Sequence, residues 1–386
     1  MAYFKLPSGV RDVLPDECRR LMGVKEKLKE RFLQSGFEFV ETAGLEYYDA
    51  YAGIKSPVAQ TRLFKMTDYD GSLIVLRPDM TLACARIAAA KLKSAARLCY
   101  FSEVYDFSAR GNSQREVEQA GVEIFGERGA FADAYAVAFA ADCLRAAGLD
   151  NFIVDIGHVG FFKGLLEEVG LDEERREELR LYVNAKDGVN TELLLKKYGS
   201  GGRAEEAFLA LPSLFGGAEV LDEAEKLTSN AGALAALAHL KKVYGYLKEM
   251  GYENVVSFDL GTVKSLSYYS GMVFTGLADG VGAPVLSGGR YDRLAAEFGK
   301  DLSAVGFAIG LTRVLSALER KDPVPAVRQA PAVILCKEGG EAQGYRAYLK
   351  MLKEGRACTL LTDADAWPAD RGGEKYVATA EGVQKC

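Results

Sequence analysis

The chain has 386 residues, 49% of them apolar and 26% charged, with 48 basic against 54 acidic side chains and a net charge of -6. That length predicts two or three domains with sizeable cores, and the balance excludes disordered, collagenous and fibrous classes. No global positive field draws such a chain to nucleic acid or an anionic membrane.

The longest purely apolar run, Ala134 to Ala141, has eight residues, far below the roughly 18 that span a bilayer. Met1 to Pro7 lacks a charged start followed by an apolar stretch, so the expectation is a cytoplasmic protein with no membrane partner. Seven scattered cysteines without a C-x-x-C, and only two histidines, His158 and His239, exclude a zinc site and a disulfide framework. No phosphate-loop or dinucleotide-binding motif occurs, and no cofactor is expected.

Taken in chain order, Leu21, Val24, Leu28, Phe32 and Leu33 recur at helical spacing between Pro15 and Gly36 and predict an amphipathic helix. Phe37 to Thr42, Leu63 to Thr67 and Leu73 to Leu76 read as strands, the last two joined by a turn at Asp68 to Gly71. Asp79 to Lys93 reads as a helix. Arg97 to Phe107 and Arg115 to Phe125 read as a hairpin around the polar loop Ser108 to Gln114. Ala130 to Ala147 is an alanine-rich helix, and Phe152 to Ile156 is an apolar strand.

Residues 164–250 turn to charged helical segments broken by glycines and read as a helical insertion that carries no interpretable motif. Strands return at Val255 to Phe258, Ser267 to Leu277 and Ala304 to Ile309, followed by a helix from Leu311 to Arg320. The proline-bearing stretch 321–331 reads as a linker. It separates a core of residues 1–320 from a small α/β tail, 332–386, with strands at Val333 to Cys336 and Thr359 to Thr362 around a helix from Gln343 to Glu354. The mixture of hairpins and interposed helices favours an α+β fold with a largely antiparallel sheet.

Three clusters hold the candidate chemistry. Gln119, Gly121 and Glu123 share one strand face by even spacing, and Glu123 among Val122, Ile124 and Phe125 needs a cation or donor if it is buried. Leu76 to Thr81 and Leu286 to Leu294 place polar residues where strands end. Gly306 to Arg313 puts two glycines on a strand and an arginine on the first turn of a helix, which suits a flat ligand and a phosphate. On these residues alone, an ordinary packed strand with a surface arginine is the better account of the last cluster.

In this order, Arg77-Pro78-Asp79-Met80-Thr81, Gln119 to Gly126, Tyr268-Tyr269, Gly288-Gly289-Arg290-Tyr291-Asp292 and Gly306 to Arg313 resemble the catalytic core of histidyl-tRNA synthetase. Ser8 to Pro15 matches as well, and the likeness covers residues 5 to 320. The resemblance implies a class II synthetase fold, a six-stranded antiparallel sheet flanked by helices. It also implies a histidine pocket of Asp79, Thr81, Gln119, Glu123, Tyr268 and Tyr269, in which carboxylates suit an ammonium and an imidazole N–H and tyrosines suit a flat ring. Sheet-face packing is the alternative role for the tyrosines. Arg115, Lys264 and Arg313 are left as a vestigial nucleotide site.

The departures are specific. Ala43 stands at the family's usual proline, and Asp79 is one carbon shorter than the common glutamate. Tyr105 falls at the arginine of the synthetase's second motif, and Lys264 falls at the arginine of its R-G-L-D-Y-Y. Lysine keeps a charge without the planar fork, whereas tyrosine keeps neither. Residues 332–386 are short for an anticodon-binding domain, which argues against tRNA recognition. This pattern resembles the synthetase's paralogous family, the regulatory subunits of ATP phosphoribosyltransferase. That likeness implies no catalytic residue and a short-form catalytic subunit as partner. It further implies a homodimer within a hetero-octamer and histidine as effector. An active histidyl-tRNA synthetase with a truncated anticodon-binding domain is the alternative. A free-standing amino-acid-binding or tRNA-modifying paralog is a third reading.

Overall fold

Helix α1 (Pro15–Gln34) starts with proline in its first turn and buries Leu21, Val24, Leu28 and Phe32 along one stripe. Leu33, at the end of the same pattern, is exposed. The computed structural model describes residues 5–52, 58–92, 95–107, 114–199, 201–262, 268–321, 331–363 and 373–386. Two compact units divide the chain, Met1–Pro323 and Val324–Cys386.

After α1 the first unit runs through β1 (Glu38–Phe39), β2 (Leu45–Tyr47), α2 (Asp49–Ala52), β3 (Lys65–Thr67) and β4 (Leu73–Leu76). It continues through α3 (Thr81–Lys91), β5 (Ala96–Tyr105), β6 (Glu116–Phe125), α4 (Ala130–Ala147) and β7 (Phe152–His158). Next come α5 (Val159–Glu168), α6 (Glu173–Asn184), α7 (Gly188–Tyr198), α8 (Arg203–Ala210), β8 (Phe215–Gly216), α9 (Glu219–Glu225) and α10 (Ala231–Glu249). The unit closes with β9 (Val256–Asp259), β10 (Met272–Ala278), β11 (Leu286–Arg290), β12 (Ala304–Gly310) and α11 (Leu311–Lys321).

Nine strands form the main sheet in the order β1-β5-β6-β12-β11-β10-β7-β9-β8. From β5 to β7 every ladder is antiparallel, so a six-stranded antiparallel run lies at its heart, as a class II synthetase fold requires. The outer pairs β1–β5 and β7–β9 are parallel. A separate three-stranded sheet has the order β2-β4-β3.

The period of two along β6 sorts its residues between two cores. Ala120, Val122 and Ile124 enter a large cluster with α1, α4 and α10, where the alanines of α4 let helix and sheet come close. The opposite face looks toward a second cluster that includes Tyr51, Met80, Tyr100, Tyr268 and Tyr291. That second face carries the candidate site.

Three strand readings shift. Of Phe37 to Thr42, only Glu38–Phe39 pairs with β5. Tyr268 to Ser270 lie off β10, which starts at Met272. Leu286–Arg290, read from sequence as a junction, is a central strand. Its Gly288 and Gly289 carry no side chains to show the alternation, yet a Cβ at Gly289 would lie 2.7 Å from the Tyr269 ring.

In the second unit, β13 (Ala332–Cys336), α12 (Glu341–Lys353), β14 (Cys358–Leu361), β15 (Lys375–Thr379) and β16 (Gly382–Lys385) form a sheet of order β14-β13-β15-β16. Its core gathers Ile334, Cys336, Met351 and Ala378. Among the described residues no helix is long and apolar enough to cross a membrane.

Candidate functional site: a carboxyl and tyrosine pocket beside a polar cleft

Glu123 sits near the C-terminal end of β6, 1% exposed. Directly across the ladder stands Gly306 of β12, where any Cβ would overlap the Glu123 carboxyl. Its Oε1 accepts from Thr81 Oγ1 at 2.9 Å and its Oε2 accepts from the Tyr291 hydroxyl. Burial pushes the Glu123 carboxyl up to about 8, against the pull of the Tyr291, Thr81 and Tyr100 hydroxyls, and nearby Asp79 pushes it the same way. Near neutral pH the group is therefore largely protonated, and a bound cation would draw it toward the ionised form.

Asp79 lies just ahead of α3. Its Oδ1 accepts from the Leu82 N–H at 2.8 Å, in the manner of a helix cap, and its Oδ2 is buried without a hydrogen-bond partner among the described residues. Burial pushes this carboxyl up to about 6. Tyr268 stacks on Tyr291, with ring centres 5.5 Å apart and planes 11° apart, and meets Tyr269 edge-on at 4.6 Å. Asp79, Thr81, Glu123, Tyr268 and Tyr269 thus form one candidate pocket, two buried carboxyls among a set of aromatic rings. Such a pocket suits a ligand with a cationic or N–H-rich end and a flat ring.

Gln119, two pleats along β6, lies on the wall of an adjoining cavity of about 570 Å³ shared with Arg62, Tyr105, Ser287, Thr312 and Arg313. The cations of that wall are engaged. Arg313 donates to the Pro284 carbonyl at 2.7 Å, and Arg62 is paired with Asp106. The Tyr105 hydroxyl donates to Glu103 at 3.2 Å, and burial with Glu103 and Glu116 nearby pushes its phenol up to about 12. Arg115 does not line this cavity. Its guanidinium lies over the rings of Phe64 and Phe107, 4.9 and 5.2 Å from their centres, and donates to the Phe107 carbonyl at 3.0 Å. Lys264 lies outside the described residues. Among the described residues no cluster of side chains could hold a metal ion.

A family model described as histidyl-tRNA synthetase matches residues 9–314. A relative from Acetivibrio thermocellus named ATP phosphoribosyltransferase regulatory subunit is 39% identical over 363 residues, covering 92% of this chain and 87% of that protein. The chain belongs to the ATP phosphoribosyltransferase regulatory subunit family. A Clostridium acetobutylicum protein of the same name is 34% identical over 357 residues, covering 91% of this chain and 88% of the relative. A solved structure from Bacillus halodurans, described as an ATP phosphoribosyltransferase regulatory subunit/histidyl-tRNA synthetase, superposes with a TM-score of 0.86 at 32% identity, covering 97% of this chain and 98% of that one.

Within this family member, sequence reasoning passed over two pocket residues. Tyr291 supplies both a stacking ring and a hydroxyl to Glu123. Its place after Gly288-Gly289-Arg290 was a usable signal, because a strand through those glycines carries Tyr291 to the end of β11. Tyr100 of β5 is the other, held where Gly121 leaves room for its hydroxyl. Arg290 anchors this end of β11 from the far side. It is buried and paired with fully buried Asp133, with 2.6 Å between Nη2 and Oδ1 and a 2.7 Å hydrogen bond from Nε.

Proposed function

We propose that this chain is a non-catalytic regulatory subunit of ATP phosphoribosyltransferase, acting in the first step of histidine biosynthesis. In this reading it joins short-form catalytic subunits as a homodimer within a hetero-octamer, is required for their activity and mediates their feedback inhibition by histidine. Histidine is held by Asp79, Thr81, Gln119, Glu123, Tyr268 and Tyr269, joined by Tyr291. For inhibition to follow, histidine must bind the inactive state of the assembly better than the active one.

One contrast carries the reading. The pocket offers two buried carboxyls and a tyrosine set, while the adjoining cleft presents the Tyr105 phenol against Glu103 where adenylation needs a positive fork. Loss of one preorganised transition-state donor costs about 3 to 4 kcal/mol. A phenol bonded to a carboxylate supplies no replacement, and Arg313 already donates to a backbone carbonyl.

Mixing the chain with a short-form catalytic subunit and following phosphoribosyl-ATP formation tests this. The expected result is activity that appears only in the mixture and falls when histidine is added. Equal activity with and without the chain contradicts the reading.

A further inference from the structure

Two buried polar atoms beside the pocket have no hydrogen-bond partner among the described residues, the Tyr51 hydroxyl and Asp79 Oδ2. Tyr51 belongs to the four-residue helix α2, is 1% exposed, and joins the apolar cluster that holds Met80, Leu82 and Tyr268. Asp79 immediately precedes Met80. The two groups feel each other. Burial first, then the charges of Asp79 and Glu46, raise the Tyr51 phenol, while Arg86 and Arg77 pull it down. Those cations are committed elsewhere, Arg86 to Glu46 and Arg77 to the carbonyls of Glu103 and Thr42.

A buried polar atom left unpaired is disfavoured, and folded chains rarely keep one without a group that completes it. Asp79 Oδ2 can only accept while ionised, and the Tyr51 oxygen can accept as well as donate. An ammonium has three donors at tetrahedral angles, which acceptors from two different elements can share. We propose that Tyr51 is a ligand-binding residue of this pocket, its hydroxyl oxygen and Asp79 Oδ2 together accepting from the ammonium group of the bound amino acid. The inference rests on the histidine reading above. It also makes up for the reach that Asp79 lacks beside a glutamate.

The test is calorimetric titration of L-histidine and of imidazolepropionate, its analogue without the amino group, into the wild-type protein and Tyr51→Phe. Phenylalanine keeps the buried ring, so the fold is preserved. L-histidine should bind Tyr51→Phe roughly tenfold more weakly, the worth of one hydrogen bond to a charged group, while imidazolepropionate binds both proteins equally. Unchanged L-histidine affinity in Tyr51→Phe overturns the assignment, as does an equal loss for both ligands, which would mark a packing role. Failure of the wild-type protein to bind L-histidine overturns the pocket reading itself, and this inference with it.

Discussion

Gly306 faces Glu123 across the β6–β12 ladder, and the absence of a side chain at the first is what gives the carboxyl of the second its place. Gly306→Ala forces the carboxyl aside and strains the Thr81 and Tyr291 hydrogen bonds. Overpacking of this kind costs about 1 to 3 kcal/mol. Denaturant unfolding should show that loss, and calorimetry should show L-histidine binding weakened at least tenfold.

Tyr291 both stacks on Tyr268 and donates to Glu123. Tyr291→Phe keeps the ring and deletes the donor, leaving a buried carboxyl oxygen less satisfied, at roughly 1 to 3 kcal/mol. With one hydroxyl fewer to favour the ionised form, Glu123 titrates still higher. A pH titration of the Glu123 carboxyl by NMR should place its midpoint above that of the wild-type protein.

The pH dependence of stability follows from the same group. Glu123 is raised from an ordinary 4.5 to about 8 by burial, so the folded chain holds a proton that the unfolded chain has released. Its contribution to stability is full below the unfolded value and is lost as pH climbs through about 8. Asp79, raised to about 6, acts in the same direction at lower pH. Unfolding free energy measured between pH 5 and 8 should fall by several kcal/mol in the ligand-free protein, at 1.36 kcal/mol per tenfold change in proton affinity. Glu123→Gln should flatten most of that slope, and an equally steep slope in the variant would exclude Glu123 as its source.

Behind the pocket, Arg290 and Asp133 form a buried ion pair that His239 joins through a 2.8 Å contact to Asp133 Oδ2. Removing one partner strands the other charge. Asp133→Asn and Arg290→Met should each lower stability by about 3 to 5 kcal/mol. The double variant should be less destabilised than the sum of the two, since neither charge is then left alone.

Much of this was legible in the sequence, for physical reasons. The even spacing of Gln119, Gly121 and Glu123 required a shared face, and a carboxylate among Val122, Ile124 and Phe125 required donors, which Thr81 and Tyr291 supply. What escaped depended on contacts between distant segments. The glycines of β11 hid a central strand, and with it the position of Tyr291. Phe64 and Phe107 draw Arg115 away from the cavity, which its neighbours in sequence could not reveal. Tyr51 lies on a helix of four residues, too short to leave a periodic signal, and only the unpartnered oxygen of Asp79 draws notice to it.

The most direct measurement pairs calorimetric binding of L-histidine with histidine-dependent exchange of pyrophosphate into ATP on the same preparation. Saturable histidine binding with no exchange above background is the predicted result. Exchange at the rate of a working synthetase would contradict the account, because the Tyr105 wall would then have been no barrier to adenylation.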